Sequence, residues 1–374
     1  MTQENVGQDD CKDSISRAGY SFVALWAVGL FLLYAIGGYF GVRTLQGYRA
    51  ETEKSREALI ESRTIEPKTK SAESRLSKKT VEVQMGIYVN RIGEFDARDG
   101  GWTADFDIWF RWTGARIRPG ETFQLVNGEV QQREKKESYA RGGEQYERYR
   151  VKARITKFFD ASRYPFGDEV LTIQVEDGGM GEEKVRYVAG GRGSGISPLG
   201  IPPHLAFPKT LATVKDHSYE SAREDPRISS GTPEVHSRFV FAMLGKIPSW
   251  QIYLRNFQGL FGSVAIAFIV FFIRPIHVDP RFGLGVGAFF AAIANNISLG
   301  AYLPPIARFS LTSIVEILGL ATIFLTLVQS AISLYIEDTM GQERLRRVFD
   351  QVSFIVFLIG YTPTNLLLPL AARS

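Results

Sequence analysis

Apolar and polar positions fall into blocks along the chain. Residues 20–42, YSFVALWAVGLFLLYAIGGYFGV, run about 23 positions without a charge, long enough to cross a bilayer as a helix. A signal peptide would have a shorter apolar core and a small-residue cleavage site. The block therefore reads as a retained transmembrane helix behind a cytoplasmic stretch, 1–19. Gly37 and Gly41 suggest a small-residue docking face, or a chance pair in a glycine-tolerant helix. Residues 43–80 are rich in Glu, Lys, Arg and Ser. They read as a polar linker, helical to about Thr64, stopped by Pro67 and then a flexible tether.

At Val81 the period changes. VEVQMGIYVNRIGEF, WTADFDIWFRW, ETFQLVNGEV, YERYRVKARITKFF, EVLTIQVED, KTLATVKDHSY and HSRFVFAMLGK alternate with period two, with turn residues between them. Residues 81–247 are thus expected to form an all-β sandwich of eight to ten strands. The glycine- and proline-rich run 190–203 reads as a loop without Walker spacing. Four further apolar segments, about 250–273, 282–302, 309–336 and 348–371, make 248–374 a membrane domain. The whole reads as a β plus α membrane protein with an N-terminal anchor.

Arginines concentrate in the first and third connectors of that domain (Arg274 and Arg281; Arg344, Arg346 and Arg347). This bias places those connectors in the cytoplasm and the β domain outside, extracellular or periplasmic. The charges flanking the first helix argue the other way. The downstream helices carry more weight, because long translocated domains obey the rule poorly. An inner-membrane, multi-pass protein with a cytoplasmic amino terminus follows.

Composition removes several classes. The 374 residues carry a net charge of +4 with no basic stripe interleaved with aromatics, so nucleic acid is not an expected partner. Cys11 is the one cysteine, which rules out an intrachain disulfide. His204, His217, His236 and His277 lack ligand-like spacing, so no metal site is expected. No nucleophile elbow stands out; no enzyme chemistry and no cofactor are anticipated.

FFDASRYPFGDEVLTIQVED resembles the signature loop of the pentameric ligand-gated ion channels, the Cys-loop receptor superfamily. GIYVNRIGEFDARDGGWTADFDIWFRW is similar to its first two strands, and LPPIARFSLTSIVEI to the turn between its second and third channel helices. The resemblance covers about residues 81–372. Lys157 and Leu171 stand where animal members have the two loop cysteines, as in prokaryotic members. Gly167, followed by Asp168, replaces the usual Asp after the Pro-Phe. The helix at 20–42 is an addition to the family plan.

The resemblance implies a homopentameric ion channel in membrane lipid, passing monovalent cations, with Asp279, Gly283, Gly287, Phe290, Ala294 and Ile297 lining the pore. An ordinary bundle helix with a polar first turn is the alternative. Glycine rings leave room for a hydrated ion, a Phe290 ring gates by dewetting, and Asp279 forms an acidic mouth. Arg281 matches a basic position that points away from the pore. Off that face, Asn296 is expected to contact Glu316 of the next helix, since a carboxylate there needs a partner. Coupling to the pore is implied for Asp96, Arg98, Tyr164, Pro165, Phe166, Asp168, Lys246, Pro304 and Arg308, with a solvated set of loop charges as the alternative.

In WTADFDIWFRW, Asp105, Asp107, Trp109 and Arg111 share one face and Phe106, Ile108, Phe110 and Trp112 the other. The first set reads as a ligand face or as a polar subunit edge. Its partner loop, about 225–236, lacks an aromatic cage. The stimulus stays open among a small ligand, protons, divalent cations and mechanical force. The competing function is a membrane-anchored periplasmic sensor or scaffold that conducts nothing.

Overall fold

A computed structural model of the protein describes residues 16–61, 80–96, 98–114, 117–167, 169–178, 185–191, 193–202, 206–219, 234–246, 249–303 and 309–373. The first apolar block becomes α1 (Arg17–Glu61), one 45-residue helix. Its buried positions Val23, Leu30, Tyr34, Gly41 and Leu45 fall on one side, as spacings of seven and four require. The tether expected beyond Pro67 lies on residues outside the described set.

Ten strands follow among the described residues. They are β1 (Val81–Asp96), β2 (Gly101–Thr113), β3 (Phe123–Leu125), β4 (Gly128–Arg141), β5 (Glu144–Thr156), β6 (Glu169–Asp177), β7 (Val185–Ala189), β8 (Gly195–Ile196), β9 (Ala206–Tyr219) and β10 (Glu234–Lys246). One sheet runs β4-β5-β2-β1-β7, with β8 also on β1; the other runs β3-β6-β10-β9. Alternation decides which side chains face inward. Phe106, Ile108 and Phe110 of β2 share a core with Ile173 and Val175 of β6 and with Phe239 and Phe241 of β10, all fully buried. Each such side chain contributes about 1.5–3 kcal/mol by leaving water.

Two sequence expectations are corrected here, and one run without a prior assignment is placed. The stretch 121–130 is not one strand. Pro119–Thr122 is a helical turn, favoured by proline at its start, and the short β3 follows it. The polar run QQREKKESYAR belongs to β4, which is almost wholly exposed. Its strand state comes from pairing with β5 across a Gly142–Gly143 turn, both residues at positive φ (60° and 87°), a geometry that glycine adopts without penalty. Finally, 190–203 holds β8 and a 3₁₀ turn at Pro198–Gly200.

The C-terminal segments are α2 (Ser249–Ile269, running into a 3₁₀ turn at Val270–Phe272), α3 (Val278–Gly300), α4 (Leu311–Asp338) and α5 (Glu343–Ala372). With α1 they give five helices long and apolar enough to cross a membrane, and the chain is a membrane protein. Arg344, Arg346 and Arg347, expected in a connector, lie inside α5, because Gly341 at φ 63° ends the preceding connection early. Helix α5 carries Pro363 and Pro369. Proline 369 cannot donate to the carbonyl of Asn365, and the Tyr253 hydroxyl of α2 donates to it instead at 3.2 Å. Such replacement partners let proline persist in a membrane helix.

Two compact units result. One holds α2–α5, most of α1 and residues 160–167; the other holds the β strands.

Candidate functional site

Helix α3 is divided lengthwise. Arg281, Gly285, Ala288, Ala292 and Leu299 are buried. Asp279, Gly283, Gly287, Phe290, Ala294 and Ile297 are all exposed, with Phe290 at 65% and Ile297 at 67%. A Cβ at Gly283 or Gly287 would meet open space, whereas one at Gly285 would strike Leu327. The glycines thus serve two ends: Gly285 lets α4 approach, and the other two leave a bare groove. Pro280 sits in the first turn, where its missing N–H has no partner to lose.

The structure brings Asn296 and Glu316 together: Asn296 Nδ2 donates to Glu316 Oε2 at 2.5 Å. Asn295 turns to α2, its Oδ1 2.6 Å from where a Cβ on Gly259 would stand. Both asparagines therefore face neighbouring helices. Removing the donor leaves Glu316, 8% exposed, with a buried acceptor. Asn296→Ala should lower stability in detergent by about 1–3 kcal/mol, and Glu316→Gln, which keeps an acceptor, by less. Equal losses in thermal unfolding would remove the pair from the account.

At the base of α3, Arg281 is fully buried. Its Nη1 donates to the Ile273 carbonyl at 3.1 Å, and its Nη2 to Asp350 Oδ1 at 3.3 Å.

The segment 160–167 packs within the helical unit. Asp160 Oδ1 accepts from the Ser162 amide at 3.0 Å and caps a 3₁₀ turn. The Tyr164–Pro165 bond is cis. Phe166 inserts between Trp250 (5.1 Å, edge-on) and Tyr253 (5.7 Å). Tyr164 OH accepts from Asn256 Nδ2 at 3.5 Å, and Arg163 donates to the Ala372 carbonyl at 3.2 Å. Of these, the sequence pointed to Tyr164, Pro165 and Phe166; it missed buried Arg163, which links the segment to the end of α5.

Other proposed coupling residues separate. Asp168, Pro304 and Arg308 lie outside the described residues, as does most of the partner loop 225–236. Asp96 Oδ1 accepts from the amides of Arg98 (3.1 Å) and Asp99 (2.9 Å), and Arg154 lies 3.9 Å away. Among the described residues no ion pair joins Asp96 or Arg98 to Lys246, which is exposed at the end of β10. The Asp99 amide is the main reason the Asp96 carboxyl titrates below its ordinary value. A depressed carboxylate stabilises the turn above its unfolded pKa of about 4 and loses that effect as pH falls through the folded value. Protection of the Arg98 and Asp99 amides, measured as exchange relative to the intrinsic rate at each pH, should therefore fall in acid, and Asp96→Asn should flatten the response.

The β2 face is partly consumed by its own sheet. Arg150 donates twice to Asp105 (3.0 and 2.8 Å), and Asn90 donates to Asp107 at 3.0 Å. The acids therefore need no ligand to balance them. Trp109 and Arg111 have a different setting. The Trp109 indole donates to the Gly193 carbonyl at 3.3 Å and lies on Gly86, Gly190 and Gly193, where any Cβ would come within 3.0 Å of the ring. Arg111 holds Gln84 through Nε at 3.2 Å. Both line an open cavity of about 1020 Å³ with Arg141, Glu144 and the stacked pair Tyr139–Tyr146 (5.1 Å). The sequence missed these hairpin residues; the Gly-Gly turn between the two tyrosines is the signal that pairs them.

Among the described residues no group of three or more His, Cys, Asp or Glu could hold a metal ion. No family model matches the chain, and no curated protein matches it.

Proposed function

We propose that the chain is one subunit of a homopentameric, cation-selective ion channel, gated by a stimulus sensed in its β domain. The observation that carries this reading is the α3 stripe. A membrane-length helix buries one face and leaves the other uncovered from Asp279 to Ile297, and that open face bears glycines and one carboxylate rather than continuous aliphatic bulk. Five such faces around an axis give a wide, acid-mouthed inner end and a Phe290 constriction. In this reading α2–α5 form the channel bundle in the cell's inner membrane, the β domain stands outside and the amino terminus inside. The cavity beside Trp109 is where a small ligand enters, and the Phe166 anchor ties the 160–167 segment to the channel helices. The channel works by passive conduction and needs no cofactor.

The test is a planar-bilayer recording of the purified full chain across pH and calcium concentration. Stimulus-dependent cation current is expected. A protein reconstituted and oriented in the membrane that passes no current under any of these conditions is instead a sensor or scaffold.

A further inference from the structure

We infer that Asp350 on α5 sets ion selectivity by holding the Arg281 guanidinium inside the helical unit, a role that rests on the channel reading above. Arg281 follows Asp279 by two residues, about 200° around the helix. Asp279 is exposed, whereas Arg281 is fully buried. A long basic side chain near the end of a membrane helix ordinarily extends to water. From this position that route would carry a positive charge to the level of Asp279 in every subunit and cancel the acidic mouth.

The fold retains the guanidinium through Ile273 and Asp350. Asp350 is itself held from two sides: Gln329 Nε2 of α4 donates to Oδ1 at 2.6 Å, and Arg346 Nη1 to Oδ2 at 3.2 Å. Arg346 is balanced further by Glu337 at 3.3 Å and Glu343 at 3.9 Å. Two buried guanidiniums thus share one buried carboxylate. Removing that carboxylate leaves Arg281 charged, buried and facing Arg346, a state that strongly favours any escape to water. In the inferred state it reaches water at the level of Asp279, two residues earlier on the same helix. Asp350 touches no permeant ion in this arrangement; it is a positioning residue.

Reversal potentials in asymmetric NaCl test the role. Asp350→Asn should lower the cation-to-anion permeability ratio roughly tenfold, the low end of what a focused field does to local ion concentration. Asp350→Glu should retain the wild-type ratio. Adding Arg281→Gln to Asp350→Asn should restore selectivity, which a loss of packing alone would not do. An Asp350→Asn channel that conducts with the wild-type ratio overturns the inference, as does failure of the second change to restore it. If Asp350→Asn does not reach the membrane, Arg281→Gln alone decides. An unchanged ratio upholds the sequestered charge, and a ratio above wild type shows that Arg281 is already felt at the mouth and overturns it. Wild-type protein that is reconstituted yet silent overturns the channel reading itself, an outcome distinct from a current with unaltered selectivity.

Discussion

On the channel reading, Phe290→Ala protein is expected to leak at rest, conducting without the stimulus that the wild type would need. Phe290 is 65% exposed within its own chain, so the ring packs little against its subunit. Its removal creates no cavity in the core, and folding should be nearly unaffected. What changes is the open face of α3. Below Phe290 that face holds Gly283 and Gly287, and above it Ala294, all smaller than a phenyl ring. In the pentameric reading five phenyl rings are the narrowest apolar level, and such a level excludes water until the helices move. Five methyl groups leave room for hydrated ions. Lowering the resting barrier by only about 1.4 kcal/mol multiplies passage about tenfold. Bilayer recordings without stimulus, alongside thermal unfolding in detergent, check both halves. A silent Phe290→Ala protein with a wild-type response to stimulus would move the gate elsewhere, Ile297 being the next apolar level on the stripe.

Gly360→Leu should release α1 from the rest of the helical unit. Among the described residues the helix is held by shape and by two hydrogen bonds. The Tyr34 ring lies directly over Gly360, well inside the distance any side chain there would need, and its hydroxyl pairs with Thr322 Oγ1 at 2.6 Å. Trp26 Nε1 donates to Ser353 Oγ at 3.1 Å. Gly41 sits 2.7 Å, by a virtual Cβ, from Leu368, and Gly38 sits 3.3 Å from Thr364. Small residues matter here because lipid is as apolar as leucine, and close packing with polar contacts must drive association. A leucine at 360 displaces Tyr34, costs about 1–3 kcal/mol as overpacking and forfeits the Thr322 bond. Cysteines at Gly38 and Thr364, in a Cys11→Ser background, should form a disulfide in the otherwise native chain, given the separation such bonds require. They should fail to form one when Gly360 is leucine. Undiminished crosslinking would mean that α1 is held by other contacts.

The glycine face itself was only half legible. Gly37 and Gly41 have the small-xxx-small spacing, yet a Cβ at Gly37 would meet nothing within 4 Å. The docking glycines are Gly38 and Gly41, in register with Tyr34 and Leu45. Spacing alone cannot choose between overlapping glycine pairs; the partner helix does, through the rings and methyls it offers. The β2 face shows the same limit. Alternation put Asp105, Asp107, Trp109 and Arg111 on one side correctly, but did not reveal that Lys152 and Arg150 of β5 lie opposite the two acids, or that Arg150 reaches diagonally to Asp105. Register across strands is a property of the pairing, and β2 and β5 are separated in the chain by β3 and β4, so no local turn signal states how they align.

By itself the sequence determined the order of elements, the membrane character and the inward and outward faces of the strands, because these follow from local periodicity and from the length of apolar runs. It also indicated the α3 stripe and the need of Glu316 for a donor, since a carboxylate in an apolar helix demands one whatever the fold. The tertiary structure decided what depends on distant neighbours. It put Arg281 against Asp350, 69 positions later, set the Tyr253 hydroxyl on the carbonyl freed by Pro369, and wedged Phe166 between Trp250 and Tyr253. Each is a buried polar or aromatic group satisfied by a residue far along the chain, and no local pattern states which residue that will be.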